Sequence, residues 1–366
     1  MLRAKKPGGP RRRSPELPDN AMGWALMDFL AWSETTGATT ATIATRKQSL
    51  IVFVRWCAER SLARPQDITL PILERYQRYL FHYRKANGEP LGYVSQRSRL
   101  IPVKTFFQWL TRSRHILYNP ASELQLPRAH KKLPHHVLTL AEVETILAQP
   151  DVTTPSGLRD RAMLEVLYST GVRRMEVTRL KCYDVDTEAG SVFVREGKGR
   201  KDRMIPIGAR ACAWLRRYLF DVRPLLVIEP DSGHLFLADY GDAINLNAAG
   251  LIVRRYIERA GYTFPGSCHL FRHAMATHML ENGADVRYIQ AMLGHAKLTT
   301  TEIYTQVSIL KLKEIHTATH PARLERRGGD NASAVRAEAG EARVELLHAL
   351  AMEDEDEHAI MDASQP

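Results

Sequence analysis

Four segments of this 366-residue chain, in a fixed order, carry the residue types that phosphoryl transfer demands: a nucleophile, cations for the phosphate oxygens and a proton donor for the leaving alcohol. In STGVRRMEV, Gly171 can end a helix and so present Arg173 at a turn, where a planar guanidinium grips two phosphate oxygens at once. Glu176, three residues on, suits either an ordinary helix ion pair or the orientation of a basic group. GKGRKDR sets Lys198 between Gly197 and Gly199, which permit sharp backbone turns. An ammonium there can enter a nucleic-acid groove or simply be solvated. The segment lacks P-loop glycine spacing and no Ser or Thr follows, so ATP binding is not supported. CHLFRHAMATHML spaces His269 and Arg272 three apart, neighbours on one helical face that converge on one anion. His269 and His273, four apart, also have the spacing of a metal pair, but no HExxH glutamate or adjacent carboxylate accompanies them. MLGHAKLTTTEIYTQV puts His295 after a glycine and Tyr304 nine positions later. A tyrosine of ordinary pKa, about 10, is a poor nucleophile at neutral pH and needs cationic neighbours or a base. Each residue alone has a bland reading as a solvated charge or a packing ring, and it is their company that matters.

The elements that must hold these segments follow from hydrophobic period. From about Trp24 to Arg114, apolar residues recur at helical spacing, as in Ile51, Val54 and Ala58 or Leu73, Tyr76, Leu80 and Tyr83, predicting about four helices. Thr39, Thr40 and Thr69 before Pro71 read as helix starts, and Asn87-Gly88 as a break. Pro102 should kink or divide the last helix, because proline removes a backbone donor and clashes with the preceding turn. LPRAHKKLP is proline-bracketed and basic, as an interdomain linker would be. Beyond it, helices are expected at Ala141–Ala148 and Leu158–Ser169, then two strands around Val192–Val194 and Met204–Ile207 joined by EGKGRKDR. Helices return at Ala211–Phe220 and Asn247–Ala260 and dominate from Leu270 to His316. The fold class is mainly α with a small β-sheet (α+β).

Composition fits a nucleic-acid partner. Lys and Arg number 51 against 41 acidic residues, a net charge of +10, and the excess is uneven. Residues 322–366 hold five basic and eleven acidic side chains, leaving +16 on residues 1–321. Residues 1–19 combine six basic side chains with four prolines and two glycines, a flexible arm that either adds phosphate contacts or merely solubilises the end. The acidic tail, 322–366, reads as disorder or a marginal helix. Cys57, Cys182, Cys212 and Cys268 form no CxxC pair, which fits a reducing cytoplasm. No signal peptide or membrane span is expected.

In this order and spacing, TGxRxxE, GKGxKxR, HxxRH, LGH and IYT resemble the tyrosine recombinase family, also called the phage integrase family. The resemblance covers about residues 20–320 and is closest in layout to bacterial Xer-type enzymes. It implies a helical core-binding (SAM-like) DNA-binding domain at 20–126, a linker at 127–134 and a catalytic domain at 135–321. It further implies that Tyr304 attacks the scissile phosphate to give a 3′-phosphotyrosyl link, while Arg173, Arg272 and His295 stabilise its oxygens. His269 would assist proton transfer, Lys198 would protonate the leaving 5′-oxygen, and Glu176 would orient a basic group. No cofactor or metal is implied. The partner would be double-stranded DNA, with four like or unlike protomers on two sites and accessory proteins where the system uses them. After Tyr304, the apolar positions Val307, Leu310, Leu312 and Ile315 suit a helix that docks on a neighbour or packs on its own domain. The outcome would be integration, excision or dimer resolution. Type IB topoisomerase-like relaxation and a non-catalytic DNA-binding homologue are the alternatives.

Overall fold

The computed structural model describes residues 17–85, 87–128, 136–195, 202–294 and 309–321, with residues 344, 346, 347 and 349–351 beyond them. They form two compact units, whose described parts are residues 17–128 and 136–351.

The first unit is a bundle of four helices, α1 (Ala21–Thr35), α2 (Thr40–Ala58), α3 (Leu70–His82) and α4 (Tyr93–Arg112). Asn20 and Thr39 cap the first two by accepting from the backbone N–H of Gly23 and Thr42, satisfying donors that a helix start leaves open. The buried stripes, among them Leu26, Phe29, Phe53, Tyr76, Val103, Phe106 and Phe107, meet in one core. Phe53 lies edge-on to Tyr76, with ring centroids 5.0 Å apart. The helix α4 is not divided at Pro102. Pro102 is itself buried between the core residues Leu100 and Val103, so tertiary packing outweighs the lost backbone bond.

The second unit is helical around one small sheet. Its helices are α5 (Leu140–Leu147), α6 (Pro155–Thr170), α7 (Arg174–Arg179), α8 (Ala209–Arg217), α9 (Arg223–Leu226), α10 (Leu246–Arg259), α11 (Cys268–Glu281), α12 (Val286–Leu293) and α13 (Ile309–Thr319). The sheet is antiparallel in the order β1 (Val185–Asp186), β2 (Ser191–Val194), β3 (Arg203–Pro206). Val192 pairs with Ile205 and Val194 with Arg203. The expected pair of strands is present, and β1 adds a short third. The helices α6 and α11 are buried nearly all round, so both form the interior on which the others pack. Leu312 of α13 is buried in this core and Ile315 packs against it, so within the single chain this helix covers its apolar face on its own domain. The described tail residues 344–351 are helical, and Leu346 and Leu350 join the same core, where sequence suggested disorder or a marginal helix. Among the described residues no helix is long and apolar enough to cross a membrane.

Candidate active site

The site is built where helices end. The helix α6 stops at Gly171, whose φ of 59° is left-handed and favours glycine. A side chain here would also collide with Met275 of α11 and come within 3.0 Å of Leu293 of α12, so the glycine permits three elements to meet. The chain then turns, and Arg173 becomes the residue that starts α7.

Arg173 is buried, not displayed on the surface. Its backbone N–H donates to Glu176 Oε2 at 2.9 Å, and its guanidinium donates to Oε1 at 3.1 Å. The same carboxylate takes a fork from Arg203 of β3, at 2.9 Å and 2.7 Å. Burial alone would push the Glu176 carboxyl up. The Arg203 hydrogen bonds and the charges of Arg203, Arg173 and Arg272 outweigh it and hold the group down at about 2, so Glu176 is an anion at neutral pH. It organises arginines and has no proton to give.

Arg272 lies on α11, where only 3% of it is exposed. It donates to the carbonyl of Gly171 at 2.5 Å and to that of Leu293 at 2.9 Å, joining the ends of α6 and α12. A guanidinium has five N–H donors, so gripping two carbonyls is compatible with binding an anion. His269, three residues earlier on α11, is half-buried, with its ring 5.9 Å from that of His273. Among the described residues no cluster of three His, Cys, Asp or Glu side chains is placed to hold a metal ion.

The structure thus brings Arg173, Glu176 and Arg272 into one frame, with His269 on the same helix as Arg272. Lys198, His295 and Tyr304 lie outside the described residues. Their flanks are described. Val194 and Arg203, paired across the sheet, bracket the Lys198 segment. Gly294, immediately before His295, ends α12 with a φ of 69°. On the far side of Tyr304, α13 is fastened to the end of α6. His316 Nε2 donates to the carbonyl of Ser169 at 2.7 Å, and His320 Nε2 to that of Tyr168 at 3.0 Å. The two rings stack, with centroids 4.6 Å apart.

Sequence reasoning passed over Arg203 and this histidine pair. Arg203 closes the GKGxKxR motif, so the signal was present. His316 and His320 are four apart, the spacing of one helical face, but nothing local announces that they are buried.

A model of the phage integrase family matches residues 136–310. The tyrosine recombinase XerC 2 of Ralstonia nicotianae is 54% identical over 323 residues, covering 88% of this chain and 92% of that one. The tyrosine recombinase XerD of the same organism is 37% identical over 290 residues, covering 79% and 91%. Among solved structures, the XerH site-specific recombinase bound to its difH substrate matches with a TM-score of 0.57 at 20% identity, covering 82% of this chain and 97% of that one. A lambda integrase dimer bound to a COC′ core site matches with a TM-score of 0.57 at 18% identity, covering 76% and 96%. At these identities the two structures speak for the fold, whereas the Ralstonia enzymes align along nearly their whole length. The chain therefore belongs to the phage integrase family, as a site-specific tyrosine recombinase of the Xer type.

Proposed function

We propose that this recombinase acts on double-stranded DNA, with Tyr304 as the nucleophile. The Tyr304 oxygen forms a bond to the scissile phosphorus as the bond to the 5′-oxygen breaks. Lys198 gives its proton to that departing oxygen. Arg173, Arg272 and His295 hold the phosphate oxygens as charge builds on them, and His269 assists phosphate binding and proton transfer, taking the proton that the Tyr304 hydroxyl loses. Glu176 orients Arg173. The phosphotyrosyl link keeps the energy of the broken phosphodiester, so a 5′-hydroxyl reverses the step without ATP. Cations of the protein serve where other phosphoryl-transfer sites use a metal, and no cofactor enters.

The observation that carries this reading is the shared frame of Arg173, Glu176 and Arg272, built at the ends of the helices that lead into the Arg173 and His295 segments. Two cations from distant parts of the sequence converge at the place where the sequence motifs also point. The XerH and lambda integrase structures contain DNA, which supports DNA as the partner here. In the same reading residues 20–126 form the core-binding domain, 127–134 the linker and 135–321 the catalytic domain. Phosphate contacts supply much of the affinity, and a few base contacts and DNA shape choose the site. Four protomers, of one kind or two, assemble on two DNA sites, with accessory proteins where the system requires them, in a cytoplasmic setting. Integration, excision or dimer resolution is the outcome, and relaxation of the topoisomerase kind is not favoured.

The test is to trap covalent protein on fragmented genomic DNA and sequence the attached ends. One recurrent sequence joined through a 3′-phosphate to Tyr304 is expected. An adduct formed equally well by Tyr304→Phe would overturn the assignment.

A further inference from the structure

We propose that Arg203 is a positioning residue that sets β3, the start of α7 at Arg173 and the end of α12 in register with one another, the ends from which the Lys198 and His295 segments continue. The inference rests on the site assignment above and adds to it a residue that touches no substrate.

Arg203 opens β3 and pairs with Val194, at the end of the hairpin from which the Lys198 segment departs. Its side chain, 12% exposed, is used in two directions. Both terminal nitrogens fork onto the Glu176 carboxylate, at 2.9 Å and 2.7 Å, and through Glu176 reach the backbone and guanidinium of Arg173. Its Nε donates to the carbonyl of Met292 at 2.9 Å, in the last turn of α12, three residues before His295. One rigid plane therefore ties a strand, a helix start and a helix end.

Gly294 gives an independent sign of the same contact. A Cβ at this position would lie 3.0 Å from Arg203 Nε, 3.1 Å from Cδ and 3.2 Å from Cζ. The glycine of the LGH segment is needed for its left-handed φ of 69° and also because the guanidinium lies against it. The end of α12, at Met292 and Gly294, is thus shaped by Arg203. Lysine cannot replace it, because a single ammonium has neither the planar fork nor a second donor directed at Met292.

A buried ion pair that serves only the fold would show the same contacts, so the experiment must separate rate from stability. The duplex recovered by covalent trapping, nicked so that cleavage is irreversible, is used with the full-length chain at saturating protein in a single turnover. Arg203→Lys is expected to cleave slower by on the order of 10²-fold, the loss that a misplacement of about 1 Å produces. Its DNA affinity should stay close to that of the unaltered chain, and both chains are assayed well below the melting temperature of either. In Arg203→Ala, added guanidinium should restore cleavage where equal concentrations of sodium chloride or urea do not. Should Arg203→Ala fail to fold, Arg203→Lys, which keeps the charge beside Glu176, carries the test alone. Cleavage by Arg203→Lys at the unaltered rate overturns the inference, as does a rate loss that only tracks lost folding. Arg173→Ala and Tyr304→Phe run beside it. If both are inactive while Arg203→Lys is unimpaired, only the Arg203 inference falls. If Tyr304→Phe cleaves, the site assignment itself is wrong.

Discussion

The histidine pair that fastens α13 to α6 makes folding stability depend on pH in a way that can be worked from one residue. Burial pulls the His316 imidazole down to about 4 from an ordinary 6.5, and its bond to the Ser169 carbonyl only partly opposes this. The fold therefore holds the neutral ring, and the sign follows. Above about pH 6.5 the ring is neutral in both folded and unfolded chain, and the full stabilisation is present. As pH falls from 6.5 towards 4, the unfolded chain takes up a proton that the folded chain refuses, and stability is lost. Below 4 both are protonated and this residue adds nothing further. A depression from 6.5 to 4 corresponds to about 3 kcal/mol at most, or roughly 10 °C in melting temperature for a unit of this size. His316→Gln retains an N–H that can reach the Ser169 carbonyl but cannot titrate. Melting curves of both chains between pH 7 and pH 4 subtract out the carboxylates and the histidines other than His320, whose ring stacks on His316 and feels its charge. The unaltered chain should lose several degrees more than His316→Gln across that interval. Parallel curves, or an imidazole resonance of His316 that titrates near 6.5, would refute the reasoning.

Other outcomes follow from the same frame. Glu176, held near 2 against an ordinary 4.5, stabilises the fold above pH 4.5, and that contribution disappears as pH falls towards 2. Glu176→Gln should flatten this acid limb and, by uncoupling two buried arginines, cost about 3 kcal/mol or more at pH 7 in denaturant titrations. Removing residues 1–19 should weaken DNA binding generally and lower the slope of log affinity against log salt, because fewer counterions are released. An unchanged slope would mark the arm as a bystander. Truncation after Pro321 should lower the melting temperature, since it removes the buried Leu346 and Leu350, each worth roughly 2 kcal/mol, and a melting curve that does not move would show that they are not part of the core.

Much of this molecule was legible because its signals are local. Apolar period along α2, α3 and α10 marks helices, and Gly171 marks where α6 stops. The motif readings put Arg173 just past a helix-ending glycine and His269 and Arg272 on one helix, as the structure has them. What escaped notice is short or non-local. The helix α7 has six residues and β1 has two, too few for any period to show. The unbroken course of α4 through Pro102 depends on neighbours that sequence does not name. Arg203 finds its carboxylate 27 residues upstream, and His316 its carbonyl 147 residues upstream, so each looks like an ordinary polar position until the chain is folded. Leu346 and Leu350 were hidden by the acidic composition around them.

The non-local contacts share one physical motive. A helix leaves its last carbonyls without partners, and an end buried in protein must find donors elsewhere. The helices that end beside the site, α6 and α12, both stop at a left-handed glycine, and a proposed catalytic residue follows within two positions, Arg173 after Gly171 and His295 after Gly294. The carbonyls around these ends are taken by side chains from distant segments: Tyr168 by His320, Ser169 by His316, Gly171 and Leu293 by Arg272, and Met292 by Arg203. Satisfying the helix ends and positioning the site are therefore one operation. The donors that cap the ends bring α11, α13 and β3 to the places where the motif residues emerge. The negative ends of the helix dipoles also help to hold guanidiniums in an interior where positive charge is otherwise costly. A substitution that uncaps either helix should then slow single-turnover cleavage before it lowers the melting temperature, because the released carbonyls lie just ahead of Arg173 or His295 in the chain.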